Sequence, residues 1–173
     1  MKLELDKLLC EKYPKMMVNR DKSMMETCMC WGFDCGDGWF NILDQLMGNI
    51  QHHIDWKEKQ RKWAIDFNSK ATQEEIRVVP ESIPQVTLDQ VKEKFGTLRF
   101  YYTGGDDIID GMVRMAESMS GVTCEECSAP AQTHGPGWIR TMCEPCEEKR
   151  EADRKAYHDE LEQKRLLKEG FEE

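Results

Sequence analysis

Cys124, Cys127, Cys143 and Cys146 form two C-x-x-C pairs with fifteen residues between them, and this pattern carries the most specific chemistry in the chain. Two thiolates on one tight knuckle reach the same metal, and a fifteen-residue excursion is long enough to return a second knuckle that completes a tetrahedron. The donor set and spacing are those of a single structural zinc ion in a zinc-ribbon-like module. With all four positions filled by protein, no coordination site remains for an activated water. Four unrelated core thiols or disulfides would not need this spacing. A thioredoxin-like redox site would use one such pair rather than two.

Cys28, Cys30 and Cys35 lie close together and His52 and His53 follow, so a second Cys3His site and a set of free thiols are both open readings. Cys10 has no partner pattern. Gly104-Gly105-Asp106-Asp107 resembles the GGDEF signature of diguanylate cyclases, but here the acids open a helix, and capping explains them more simply. Lys92, Lys94 and Arg99 alternate with Phe95, Phe100, Tyr101 and Tyr102. That segment reads either as a stacking platform for single-stranded nucleic acid or as a hairpin that buries one aromatic face. No phosphate loop, G-x-S-x-G or H-E-x-x-H occurs, and no dispersed catalytic set is nominated by any motif.

The elements that must position these residues are legible in the periodicity. Leu5, Leu8 and Leu9 predict a short first helix. Trp39, Leu43, Leu46, Met47, Ile50 and Ile54 form one apolar helical face, with Asp37 placed as its N-cap, and the helix continues or kinks towards Trp63. Residues 69–84, with Pro80 and Pro84, read as a connection and an internal boundary. A β-hairpin is expected around Gly96-Thr97 within 92–102, with Leu98, Phe100 and Tyr102 on one face. Asp106 and Asp107 begin a helix packed through Ile108, Ile109, Met112, Val113, Ala116 and Met119, and Gly121 ends it. Trp138 to Met142 is expected as a strand entering the second knuckle. A solvated helix with Glu151–Lys155 and Glu160–Lys164 pairs follows and ends near Gly170.

The fold class expected is α+β: a body of helices and a hairpin over 1–121, a zinc-ribbon-like module over 122–147, and a charged helical tail over 148–173. At 173 residues the chain is long enough for a core that does not depend on metal. Twenty-four basic against thirty-three acidic residues leave a net charge of −9, which opposes non-specific binding to polyphosphates or anionic membranes. No apolar run is long enough to span a bilayer and no signal segment is evident, so the chain reads as cytoplasmic, in a reducing compartment that suits metal-bound thiolates.

The stretches WGFDCGDGWF (31–40), KEKFGTLRFYYTGGDDIIDGM (92–112) and the C-x-x-C pairs around GPGWIRTMC resemble small proteins encoded by tailed bacteriophages and prophages, over Trp31 to Cys146. The resemblance implies a setting in a bacterial host rather than a mechanism. In that setting a small acidic protein would bind a host or phage macromolecule, blunting a defence system or redirecting transcription. The primary expectation is therefore a non-enzymatic zinc protein with a protein partner, contacted through residues such as His134, Trp138 and Arg140, with Trp138 alternatively a core residue. Nucleic-acid binding is the second expectation and a hydrolase the third.

Overall fold

A computed structural model describes residues 1–135 and 137–169, with side chains described as far as 166. Among the described residues the regular elements are four α-helices and the strands of two small sheets: α1 (Leu3–Lys12), β1 (Phe33–Asp34), α2 (Phe40–Asn68), β2 (Thr87–Lys94), β3 (Thr97–Thr103), α3 (Asp107–Ser120), β4 (Gln132–His134), β5 (Arg140–Met142) and α4 (Glu144–Glu169). The larger sheet has the order β1-β2-β3, and β4 pairs with β5 in the smaller one.

The hairpin forms where alternation placed it, with Val91 opposite Phe100 and Lys94 opposite Thr97. Its turn is Phe95-Gly96, both at positive φ (56° and 77°), the two-residue geometry whose twist matches the strands it joins. A bulge between Leu88 and Gln90 shifts the alternation, so that Leu88 and Val91 both face inward. Leu98 and Phe100 join them from β3. The third strand, β1, runs parallel to β2 with Phe33 opposite Val91. Two residues are too few to show a period, so nothing in the sequence pattern marked it.

The buried face of this sheet meets Leu43, Met47 and Ile50 of α2 and Ile109, Val113 and Ala116 of α3. Residues on both sides of 69–84 therefore share one core, and that connection does not divide two bodies. α2 continues without a break to Asn68, well past its last core residue of the apolar stripe, Ile54. Asp37 does not cap it. The chain passes Asp37–Trp39 as a 3-10 turn, and the Asp37 carboxylate instead accepts from the Lys2 amide (2.7 Å) and pairs with the Lys2 ammonium (2.9 Å).

α1 departs from the expected leucine stripe. Leu9 is buried, but Leu8 is exposed, and the other fully inward position is Asp6. Its carboxylate accepts from the Phe33 amide at 3.0 Å and pairs with Arg20 at 3.1 Å, while Arg20 also donates to the Cys30 carbonyl at 2.7 Å. Gly32 has φ +76°, and a Cβ there would lie 2.1 Å from an Asp6 carboxylate oxygen. A charge buried with a partner and an amide donor fixes the path of residues 20–33 over the sheet edge.

α3 begins as expected: the Asp106 side chain accepts from the Ile109 amide at 3.0 Å, and Gly121 follows its last turn. Asp106 also accepts from His53 Nε2 at 2.9 Å, tying α2 to α3. Burial raises the Asp106 pKa, but the His53 bond and the Ile109 amide outweigh it and hold the carboxyl below its ordinary range. Asp106→Ala is expected to cost about 1–2 kcal/mol, the usual worth of an N-cap. A folded-state pKa below the unfolded value of about 3.9 stabilises above that pH and is lost as pH falls through the folded value. The gap between wild type and variant should therefore narrow as pH falls below about 4 in urea titrations, to what a neutral cap oxygen keeps. A gap undiminished at pH 2 would rule out a contribution from the ionised carboxylate.

α4 starts at Glu144, inside the segment expected to precede the tail, so Cys146 rides on its first turn. The Glu160–Lys164 pair forms at 2.5 Å. The expected stop at Gly170 lies outside the described residues.

Candidate metal centre

The four cysteines come from three kinds of backbone. Cys124 and Cys127 sit on a turn after α3, closed by Ser128 N donating to Cys124 O (3.0 Å) and Cys124 N donating to Ala129 O (2.7 Å). Cys143 directly follows β5, and Cys146 lies in the first turn of α4, with Glu147 N donating to Cys143 O at 3.0 Å. The excursion between the knuckles pairs Gln132 with Met142 and His134 with Arg140. His134 Nε2 lies 2.9 Å from the Met142 carbonyl, so this histidine braces the two strands rather than standing free.

All four Sγ atoms lie within 4.8 Å of one another, and Cys127 and Cys143 are 3.5 Å apart. A zinc ion with Zn–S bonds of about 2.3 Å places tetrahedral sulfurs about 3.8 Å apart, so the cluster fits the ion. Cys124 and Cys143 are buried, Cys146 is half-buried and Cys127 faces outward. Burial raises the Cys124 pKa, but amides of Cys143, Cys127 and Glu126 directed at its sulfur bring the thiol down to about 7, which favours the thiolate that a metal requires. Met142, Ala129 and Ala131 pack against the buried thiols.

The body builds a seat for this cluster. Gly38 N donates to Glu125 O at 2.7 Å, Gly36 N donates to the Glu125 carboxylate at 2.9 Å, and Ser128 Oγ donates to Gly38 O at 2.6 Å. A Cβ on Gly38 would lie 2.2 Å from the Cys124 carbonyl oxygen, and one on Gly36 would lie 2.2 Å from that of Glu125. Trp39, fully buried, donates its indole N–H to Thr123 O at 2.8 Å. Burial pushes the Glu125 carboxyl up, opposed by the Gly36 amide. CGDGW is thus the cradle of the first knuckle. The sequence signal was two glycines flanking one residue ahead of a tryptophan, read only as a break before a helix.

The second contact is the hairpin tip. Thr141 Oγ1 donates to Gly96 O at 2.5 Å, Thr141 O accepts from Glu125 N at 3.0 Å, and a Cβ on Gly96 would come within 3.0 Å of Ile139. Where tip and module meet, Phe95, Trp138 and Ile139 line a groove of about 200 Å³. Phe95 is 69% and Trp138 73% exposed, so Trp138 belongs to the surface and not to the core. Lys94 lies 5.4 Å from the Phe95 ring and Arg140 5.8 Å from the Trp138 ring.

The other candidate residues separate. Phe100 is buried against the helices and Tyr102 is half-buried with its hydroxyl on Asp110, while Tyr101 stays outside beneath Lys92. Cys28, Cys30 and Cys35 do not join His52 or His53 in a cluster: among the described residues the converging ligand set is the four-cysteine one. Cys35 is a core thiol pushed up to about 12 by burial, Cys30 Sγ is bonded to Thr27 O at 3.2 Å, Cys28 is exposed, and His53 is engaged by Asp106. Cys10 Sγ lies 3.7 Å from Asp6.

No described helix is long and apolar enough to cross a membrane. The chain matches no known family model, no curated protein and no solved structure.

Proposed function

We propose that this chain is a non-enzymatic binding protein whose zinc-ribbon-like module, held by one structural zinc ion, shapes a contact surface for a protein partner. The observation that carries this reading is the groove at the body–module junction, where two aromatic rings stand exposed beside a cluster whose four ligands leave a metal no open position. Exposed tryptophan and phenylalanine in one concave patch, with half-buried Arg140 beside the Trp138 ring, are residue types that suit a protein interface. The net charge of −9 supports a protein partner over a nucleic acid. The likeness of residues 31–146 to phage and prophage proteins supports, as part of this proposal, a host or phage macromolecule of defence or transcription in a bacterial cytoplasm as the partner.

The test is affinity capture from expressing bacterial cells with wild-type chain and with a Phe95→Ala/Trp138→Ala variant, together with titrations of random DNA and RNA near physiological salt. Retention of a defined protein by wild type and its loss, by about a thousandfold in affinity, in the variant is the expected result, since hot-spot aromatics cost about 2 kcal/mol or more each. The cations over both rings favour nucleic acid as the second reading. Submicromolar nucleic-acid binding that falls steeply with salt, with no protein retained, would put it first.

A further inference from the structure

The four thiols of the metal centre are not equivalent towards an oxidant arriving from solvent. Cys127 is exposed, Cys146 is half-buried, and Cys124 and Cys143 are buried. A bound zinc ion keeps its cysteine ligands as thiolates, the form that reacts. Access then sets the order of attack, and a hydroperoxide meets Cys127 first.

What stands beside Cys127 decides the product. Its Sγ lies 3.5 Å from that of Cys143 on the opposite knuckle, so a disulfide of about 2.0 Å needs the two sulfurs to close by about 1.5 Å. Cys124, its neighbour in the same C-x-x-C, is held back. The amides of Cys143, Cys127 and Glu126 are directed at the Cys124 sulfur, whereas one amide, that of Ala129, reaches the sulfur of Cys127. The exposed thiol and the buried one across the cluster are therefore the pair set to join.

We infer that this pair is a redox switch on the contact surface: oxidation by a hydroperoxide joins Cys127 to Cys143, frees the metal and dismantles the groove. The inference rests on the structural-zinc reading of the centre proposed above. With hydrogen peroxide, Cys127 Sγ attacks one oxygen, the O–O bond breaks and hydroxide leaves, giving a sulfenic acid on Cys127. Cys143 Sγ then attacks the Cys127 sulfur and displaces a second hydroxide, so two thiolates supply the two electrons that reduce the peroxide. Cys124 and Cys146 remain as thiolates, take up protons from solvent, and no longer complete a tetrahedral donor set.

The new bond acts on the groove through β5. Cys143 directly follows that strand, and the linked pair brackets the excursion that carries Trp138 and Arg140. Thr141 Oγ1 donates to Gly96 O at 2.5 Å and Thr141 O accepts from Glu125 N at 3.0 Å, the contacts that set the module against the hairpin tip. Drawing Cys143 towards the outer knuckle pulls on both. The surface thus exists in the reduced, metal-bound chain and is lost in the oxidised one. Cys28 is an internal control, exposed like Cys127 but outside the converging ligand set.

The test treats the zinc-loaded full chain with hydrogen peroxide beside a chromogenic zinc chelator, blocks the remaining thiols with iodoacetamide and digests the denatured chain with trypsin. Cleavage after Arg114, Arg140 and Lys149 puts Cys124 and Cys127 in residues 115–140, and Cys143 and Cys146 in residues 141–149. The expected product is these two peptides joined, with the bond placed at Cys127 and Cys143 by fragmentation. Release of one zinc ion per chain should accompany it, and dithiothreitol with added zinc should reverse both. Trypsin acting on the native chain should cut after Arg140 about tenfold faster once it is oxidised, which reads the opened groove without a partner. Cys28→Ser should behave as wild type. A reduced chain that binds no zinc would remove the centre and the switch together. A chain that binds zinc and keeps it under peroxide would overturn the switch alone. So would disulfides confined within either peptide, release that Cys28→Ser prevents, or release that leaves Arg140 as protected as before.

Discussion

Purified under reducing, metal-replete conditions, the chain is expected to hold one zinc ion, and its removal should dissolve the module while sparing most of the helical signal. The four sulfurs converge within 4.8 Å, and structural zinc sites of this kind contribute about 10–16 kcal/mol of apparent binding energy at neutral pH. The body does not need that energy to pack, because its cluster runs from Leu9 to Ala116 and includes none of the four ligands. Cys143→Ser or strong chelation should therefore abolish the metal and the groove at Trp138, and leave α2 and α3 folded. Metal analysis and circular dichroism across a chelator titration read both effects. Zero zinc in the native chain would remove the centre, and two per chain would mean that other cysteines act as ligands. Loss of all cooperative unfolding on chelation would show that the metal organises the body as well. Acidification should release the ion, since the thiols must be deprotonated to bind.

The second large effect is expected at Trp39, which touches no metal. It is the largest fully buried side chain, and its indole donates to Thr123 O one residue before the first ligand. Trp39→Ala should lose about 3–5 kcal/mol, the range for removing a large buried ring. It should also speed zinc release, because the first knuckle is seated on the Gly36–Trp39 turn. Trp39→Phe keeps much of the packing and leaves the Thr123 carbonyl unpaired, a cost of about 1–3 kcal/mol. Urea unfolding with zinc release followed by a chromogenic chelator separates the two variants. If Trp39→Ala costs under about 1 kcal/mol, the cradle is not what holds the knuckle.

The sequence by itself determined features whose causes are local or periodic. The C-x-x-C pairs mark a cluster able to hold a metal because two residues between thiols set the bite of a knuckle, and the convergence of Cys124, Cys127, Cys143 and Cys146 follows. The amphipathic period placed α2 and α3, two-residue alternation placed the hairpin, with its turn expected at Gly96-Thr97 and found one residue earlier at Phe95-Gly96, and Asp106 capped α3 because a side-chain oxygen there meets orphan amides. Only the tertiary structure decided matters that depend on residues far apart in the chain. Asp6 faces inward because Arg20 and the Phe33 amide await it, contacts no pattern within α1 can reveal. Asp37 left its capping role for Lys2, thirty-five residues away, and His53 was claimed by Asp106 across the helix pair rather than by Cys28, Cys30 or Cys35. Trp138 looked equally fit for core or surface because burial is set by what stands opposite, and there the hairpin tip contacts Ile139 and Thr141 and leaves the indole outside. The glycines of CGDGW show the same division: their lack of a side chain is plain in the sequence, but the carbonyls of Cys124 and Glu125 that fill the space come from far downstream in the chain.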